Sequence, residues 1–330
     1  MPRVAPSVSV ALCTWQGERY VAAQLRSIAA QSVRPDQVVV MDDASTDGTW
    51  AVLEQEADAL RAAGIDVVLR QQERNVGYVR NFESALSACQ GDIVFLCDQD
   101  DLWRTHKVAT FLQAFAERPD VQLLHSDAQL VDGQGAALDA TLFQALGIDR
   151  QVLDREHRGE GFELLMGRNI VTGAVAALRR GLLAQALPVA DGWIHDEWLA
   201  LVAAAEGGLD SIEQVTTDYR QHGGNQVGAR RRGLVERAVG SGQARRSYLA
   251  GALARLHSLQ ARARLRQPAL DAAQTVTLEQ RLRHAQARAE LPAALMPRLL
   301  QVAREVGSGR YHRFSNGLRS AASDLVQGVP

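Results

Sequence analysis

Five short apolar runs, most of them followed by a helix-length amphipathic segment, dominate the first 130 residues, and four of them end in polar or acidic side chains. Val8–Leu12 leads into Cys13 and Thr14, and Val38–Met41 into Asp42 and Asp43. Ile93–Cys97 leads into Asp98, Gln99, Asp100 and Asp101, and Val121–Leu124 into His125, Ser126 and Asp127. Val67–Leu69 is the remaining run. Between them, Val21, Leu25 and Ile28, then Val52, Leu53, Ala57 and Leu60, then Phe82, Leu86 and Cys89 recur at helical spacing. Strands alternating with helices predict an α/β fold with a mostly parallel sheet covered on both faces. Ligands of such sheets bind at the carboxyl ends of the strands. Carboxylates gathered on that edge repel one another unless a cation sits among them.

The bulk properties narrow the classes. The chain has 330 residues, 46% hydrophobic and 22% charged, enough for one large core or two smaller ones. It has no apolar run of about 18 residues and no charged-then-apolar leader, so neither a membrane span nor a secretory signal is expected. Three cysteines, Cys13, Cys89 and Cys97, match no disulfide or metal spacing and read as buried thiols in a reducing cytoplasm. Charge is unevenly spread. Residues 1–228 hold 18 Lys+Arg against 32 Asp+Glu, and residues 229–330 hold 18 against 6. An acidic front is a poor nucleic-acid binder. The basic back either neutralises the front or meets an anionic surface.

Asp98-Gln99-Asp100 is the motif with the clearest chemistry. Two carboxylates just past a buried strand suit a hard divalent ion, Mg²⁺ or Mn²⁺, shared with the phosphates of a nucleotide. Asp101 reads as the N-cap of a helix running from about Trp103 to Glu117. Arg220 and His222, in Tyr219-Arg220-Gln221-His222-Gly223-Gly224-Asn225, are candidates for phosphate or metal. Asn75-Val76-Gly77 reads as a turn. Trp193 and Trp198 read as packing residues that could stack on a sugar.

The segments VSVALCTWQGERY (8–20), VVMDDASTDGT (39–49), Asn75-Val76-Gly77, IVFLCDQDDLW (93–103), His125-Ser126-Asp127, HDEW (195–198) and YRQHG (219–223) occur in an order and spacing that resemble the family 2 glycosyltransferases of GT-A fold. They most resemble bacterial rhamnosyltransferases of surface polysaccharide synthesis. The resemblance spans about residues 7–228. It implies a catalytic domain over 1–228; beyond it, the basic charge and the helical spacing of Leu249, Leu253 and Leu256 and of Leu295, Leu299 and Val302 mark a basic α-helical region over 229–330. It implies donor contacts at Thr14, Asp42, Asp43, Asn75, Asp98 and Arg220, with Asp98, Asp100 and His222 at the metal. Asp196 takes the place of the general base, with Glu197 its rival. The departures are Thr14-Trp15-Gln16, where the family more often has Thr-Tyr-Asn, and Trp198, which follows Asp196-Glu197 where the related branch often has an aromatic at 197.

The reading that follows is an inverting, metal-dependent enzyme moving a sugar from a dTDP- or UDP-linked donor, dTDP-rhamnose being favoured, to a saccharide hydroxyl. The acceptor could be lipid-linked. The expected location is cytoplasmic, with peripheral contact at the inner membrane face through 229–330. A sugar nucleotidyltransferase is the enzymatic alternative, although the loop after the first strand lacks that class's Gly- and Arg-rich triphosphate cradle. A non-catalytic nucleotide-sugar-binding scaffold is the third reading.

Overall fold

The computed structural model describes residues 5–222 and 242–326. Nine strands form one sheet: β1 (Val8–Thr14), β2 (Gln37–Asp42), β3 (Asp66–Gln71), β4 (Ile93–Cys97), β5 (Leu102–Trp103), β6 (Leu123–Val131), β7 (Ala137–Thr141), β8 (Ala176–Arg179) and β9 (Leu209–Arg220). Their spatial order is β3-β2-β1-β4-β8-β6-β9-β5, with β7 attached to β6. The β3-β2-β1-β4 half is parallel, as the alternation predicts. The other half is mixed: β8 runs antiparallel to both β4 and β6, β5 to β9, and β7 to β6. The expected mostly parallel sheet is therefore corrected to a mixed one. After β4 the chain no longer alternates single strands with single crossover helices, so the handed βαβ rule stops governing it.

Strands β1, β2 and β4 are buried on both faces, while β3 forms a partly exposed edge, and alternate residues feed two cores. Val10 and Leu12 of β1 pack with α1 (Val21–Ala29) and α2 (Thr49–Ala62), and α4 (Lys107–Glu117) covers the same side. Ala11 and Cys13 point the other way, towards α3 (Tyr78–Ala88) and the long helix His195–Ala205, which buries Trp198 completely. All three cysteines are buried free thiols, as expected.

Three expectations change locally. His125, Ser126 and Asp127 lie inside β6 rather than past its end, because β6 and β9 stay paired through a bulge at Asp127. Helix α4 begins at Lys107, since Leu102 and Trp103 pair with Asp218 and Thr217. Asp101 is not the cap of α4. It is buried, and its Oδ1 accepts the backbone N–H of Arg220 at 2.8 Å.

The expected helical back is present as Gly242–Arg264, Ala272–Ala289, Leu295–Gly307, Arg310–Phe314 and Leu318–Val326. Leu256, Leu259, Leu278, Leu282 and Phe314 join the core that also holds Trp198 and Phe162. The expected boundary at 228/229, the Gly223-Gly224-Asn225 stretch and Arg230–Arg232 lie outside the described residues. Among the described residues no helix is long and apolar enough to cross a membrane.

Candidate active site

The carboxyl ends of β1, β2 and β4, the end of β9 and the start of helix His195–Ala205 converge on one rim. Two carboxylates at that rim shape the loops around them. Asp42 is fully enclosed and accepts from Thr14 Oγ1 at 2.7 Å, the Ser45 N–H at 2.9 Å, Ser45 Oγ at 2.6 Å and Gln71 Nε2 at 2.9 Å. Asp43 accepts the N–H groups of Val76 at 2.7 Å and Gly77 at 2.9 Å, while Asn75 Nδ2 donates to the Asp43 carbonyl at 3.3 Å. Gly77 has φ of 84°, a conformation that costs glycine little, and this brings its N–H to Asp43. Thr14, Asp42, Asp43 and Asn75 are thus brought together. Thr14, Asp42 and Asp43 are buried anchors of the 43–48 and 75–77 loops. The exposed parts of those loops are Thr46, Asp47, Asn75 and Val76, and Trp15 and Gln16 stand exposed beside them after β1.

The Asp98–Asp101 turn is fastened from both sides. Gln99 Oε1 accepts the Trp15 N–H at 2.8 Å, and its Nε2 donates to the Trp15 carbonyl at 3.0 Å. Arg220 Nε donates to the Asp100 carbonyl at 2.7 Å, and its guanidinium also reaches the carbonyls of Asp132 and Gly133 and lies over the Tyr20 ring. His222 Nε2 meets Asp100 Oδ2 at 2.7 Å while its ring stacks on Tyr20. Burial, then the charges of Asp100 and Asp196, push the Asp98 carboxyl up to about 7. Burial, then the charges of Asp100 and Asp98, push Asp101 well above the usual range.

Asp196 belongs to this cluster, since its charge acts on Asp98 and on the buried Tyr219. It sits in the first turn of its helix, where the exposed N–H groups favour an anion. The Gly173 N–H donates to its Oδ2 at 2.8 Å and the Glu197 N–H to its Oδ1 at 2.8 Å. Burial nevertheless raises its pKa above that of a free aspartate. A Cβ on residue 173 would stand 3.3 Å from both Asp196 Cβ and His195 Nε2, tight enough that either side chain would have to give by a few tenths of an ångström. Glu197, the rival base, is engaged elsewhere: Arg255 donates to its Oε2 at 2.7 Å. Tyr78, Arg80, Trp193 and Ile194, the last just before the helix that carries Asp196, line a cavity of about 330 Å³ that Asp196 itself does not line. A larger one, about 680 Å³, lies over β3 and α3 against Arg70, Gln72, Ser87 and Pro188, and contains none of the candidate carboxylates.

Several residues at this site escaped the sequence reading. Lys107 is fully buried; its Nζ donates to the Ala174 carbonyl at 2.7 Å and to Thr217 Oγ1 at 2.9 Å, above the Trp103 ring. Burial lowers its pKa to about 8, and its charge acts on Asp98 and Asp101. Lys107 in a helix-length segment carries no local signal of this role. Gln99, Gly173 and Arg255 were missed for the same reason, because their partners lie 58 or more residues away, except that Gly173 and Asp196 are 23 apart.

The donor set fits a hard cation only in part. Asp98 and Asp100 supply oxygens and His222 a nitrogen, and the crowding that raises Asp98 is what a cation would relieve. Among the described residues no group of three or more His, Cys, Asp and Glu side chains is arranged to hold an ion. The remaining positions would therefore fall to phosphate oxygens and water, as Mg²⁺ and Mn²⁺ sites commonly use.

The sequence matches the family model described as glycosyl transferase family 2 over residues 9–184. A putative teichuronic acid biosynthesis glycosyltransferase, TuaG, of Bacillus subtilis is 31% identical over 113 residues, covering 34% of this chain and 43% of that protein. The chain spans between 39% and 59% of the length of several other curated relatives. Among solved structures, S. aureus TarS 1-349 in complex with UDP-GlcNAc superposes with a TM-score of 0.55 at 16% identity, covering 97% of this chain and 89% of that one. The mannosyltransferase PcManGT from Pyrobaculum calidifontis, in complex with GDP-Man and Mn²⁺, gives 0.53 at 20% identity, covering 99% and 88%. These likenesses establish the GT-A fold.

Proposed function

This chain belongs to glycosyl transferase family 2, and on that premise we propose that it is an inverting, metal-dependent glycosyltransferase of surface polysaccharide synthesis. The observation that carries the reading is the meeting of Asp98, Asp100 and Asp196 at one rim, with Asp196 held by backbone N–H groups while Glu197 is taken by Arg255. Asp196 accepts the proton of an acceptor hydroxyl. The hydroxyl oxygen forms a bond to the anomeric carbon, and the bond from that carbon to the phosphate oxygen breaks. The nucleoside diphosphate leaves with the electron pair, and the sugar inverts in one displacement.

Thr14, Asp42, Asp43 and Asn75 shape the loops that receive the base and ribose, and Asp98 faces the ribose. Arg220 keeps the Asp98–Asp101 turn in place. A Mg²⁺ or Mn²⁺ would take its protein ligands from among Asp98, Asp100 and His222, complete its shell with phosphate oxygens and water, and supply charge stabilisation on the departing diphosphate. PcManGT, crystallised with GDP-Man and Mn²⁺, and TuaG, of teichuronic acid biosynthesis, support the donor class and the pathway class. The donor we favour is dTDP-rhamnose, then a UDP-sugar, and the acceptor is a saccharide, lipid-linked in a growing chain. The enzyme works on the cytoplasmic side, where nucleotide sugars are made.

A donor screen with Mg²⁺ or Mn²⁺ tests this, following nucleoside diphosphate release with the native chain and with Asp196→Asn. Transfer should nearly vanish in the variant while donor binding persists. Full activity of Asp196→Asn removes the base, and pyrophosphate release from a nucleoside triphosphate replaces the reading with nucleotidyl transfer. Asp100→Ala should weaken metal-supported donor binding, and an unchanged metal requirement counts against that ligand.

A further inference from the structure

Apolar side chains exposed to solvent are concentrated in the helical back. Of the thirteen large hydrophobic residues that stand exposed among the described residues, nine lie between 248 and 326. Six of the nine belong to two helices, Leu295–Gly307 and Leu318–Val326: Leu295, Met296, Leu299, Leu300, Leu318 and Val326, between 38% and 83% exposed. They follow helical periodicity. Met296, Leu299, Leu300 and Ala303 fall at i, i+3, i+4 and i+7, and Leu318, Ala322 and Val326 at i, i+4 and i+8, so each helix carries an apolar stripe on its solvent side. The opposite stripe of the first helix, Arg298, Val302 and Glu305, is buried. The two helices are neighbours: Val302 and Ala321 share a small core, and Arg298 donates to the Leu325 carbonyl at 3.3 Å.

The charge of this bundle is predominantly of one sign. Residues 242–326 contain 14 arginines and five acids. Two of the acids are spent inside the bundle: Asp324 is buried against Arg245, Arg288 and Tyr311, and Glu305 against Arg310 and His284. Asp271 caps its helix, Glu279 pairs with Arg283, and Glu290, the one remaining acid, is exposed and accepts from Gln286 at 3.2 Å. Arg304 continues the first stripe and Arg319 adjoins the second, and both are exposed. Exposed leucines bordered by unopposed arginines fit a surface that is apolar below and anionic above. A second copy of this chain would bring the same arginines face to face.

We propose that the helices Leu295–Gly307 and Leu318–Val326 form a docking face for an anionic lipid surface. The leucine and methionine stripes enter the acyl boundary and the arginines meet the headgroups. The same bundle sends Arg255 to Glu197, next to the proposed base, so the face and the acceptor side of the site belong to one packed unit.

The test uses the full chain and vesicle flotation. Vesicles of phosphatidylcholine containing about a third phosphatidylglycerol should carry the protein, pure phosphatidylcholine vesicles should not, and added salt should release it. Leu299→Glu with Leu300→Glu should lower the floated fraction at least about tenfold, and Arg304→Glu with Arg319→Glu should lower it less. All four positions are exposed, so thermal melting should be unchanged. Met296→Ser with Leu300→Ser provides a milder pair should the glutamates disturb the helix. Native protein that ignores the anionic vesicles overturns the proposal, as does a glutamate pair that floats like native. A native dimer that the glutamate pair splits, without vesicle binding, assigns the face to a second copy instead.

Discussion

The front and back of this molecule solve opposite problems with the same side chains. In the front, residues 5–222, the apolar residues are sealed inside the sheet and carboxylates crowd the rim, where Asp98 and Asp196 are raised by burial. In the back, residues 242–326, several leucines stand outside, and two carboxylates, Glu305 and Asp324, lie inside, where arginines neutralise them. A buried carboxylate paired on all sides is structural. A buried carboxylate left crowded by its own kind is available for chemistry. The difference is visible in direction of shift: burial alone would raise Glu305, but its bonds to Arg310 and His284 hold it below the usual range, whereas Asp196, with only backbone N–H partners, is raised.

The sharpest way to break this contrast is to exchange charge for an isostere in each half. Asp196→Asn should lower transfer by roughly 10²–10⁴-fold and stability by only about 1 kcal/mol, because the amide oxygen can accept one of the two N–H bonds from Gly173 and Glu197 but not both. A stability loss of several kcal/mol alongside the activity would make Asp196 structural. Asp324→Asn should do the reverse. It leaves Arg245 and Arg288 facing a neutral group in a buried setting, and breaking such a pair costs about 3–5 kcal/mol. Hydrogen exchange should show early opening across Gly242–Arg264 and Leu318–Val326 while β1 to β4 stay protected. Uniform protection would refute the ion network as the clasp of the back.

Lys107 is the exception that sharpens the rule, being a cation buried beneath the crowded acids of the front. Lys107→Met keeps the chain length and removes the bonds to Ala174 and Thr217. Buried hydrogen bonds to a charged group contribute about 1.5–3 kcal/mol, so stability should fall by that order and kcat more than donor KM, since Ala174 adjoins Gly173, the donor to Asp196. Lys107→Arg should not restore it, because an enclosed site over the Trp103 ring has no room for the larger fork.

Much of this was legible in the sequence, and the part that was not shares one cause. Thr14, Asp42 and Asp98 sit at strand ends, where an apolar run followed by polar or acidic residues marks them, whereas Asp196 at a helix start was legible only through the family resemblance of HDEW. Asp101 was misplaced as a helix cap because its partner, the Arg220 N–H, lies 119 residues away. Asp127 was placed past a strand end because the bulged pairing of β6 with β9 extends the strand through it. The mixed half of the sheet was hidden likewise, since the antiparallel seat of β8 between β4 and β6 depends on a route through Gly173–Val175 that no periodicity announces. Exposure was equally silent: the stripe at Met296, Leu299 and Leu300 reads in sequence like a face turned inward.

pH separates the two halves more gently. A base must be ionised, and burial raises Asp196, so kcat/KM should fall on the acid side at a pH above the ordinary aspartate range near 3.9. An acid limb at or below that range would mean that Asp196 is solvated in the working enzyme or is not the base. For Glu305 the sign is opposite. Its folded pKa lies below its unfolded value, so its stabilisation is complete above the unfolded pKa and is lost as pH falls through the folded one. Acidification below about 4.5 should therefore melt the helical back, with Glu305→Gln flattening that dependence.

The smallest effect is expected where an ion pair belongs to neither pattern. Arg150 reaches Glu213 at 2.8 Å on the surface of the front, with both side chains more than half exposed. Water screens the pair and each long side chain gives up freedom to form it, so Glu213→Gln should change stability by no more than about 1 kcal/mol, and less in high salt. Glu305 makes a bond of similar kind to Arg310, but from a carboxylate that is only 5% exposed and also holds His284. Denaturant melts of Glu213→Gln and Glu305→Gln, run together, isolate burial as the variable. If the two variants lose the same stability, then enclosure by arginine is not what holds the back together, and the contrast between a front that crowds its acids and a back that neutralises them loses its energetic basis.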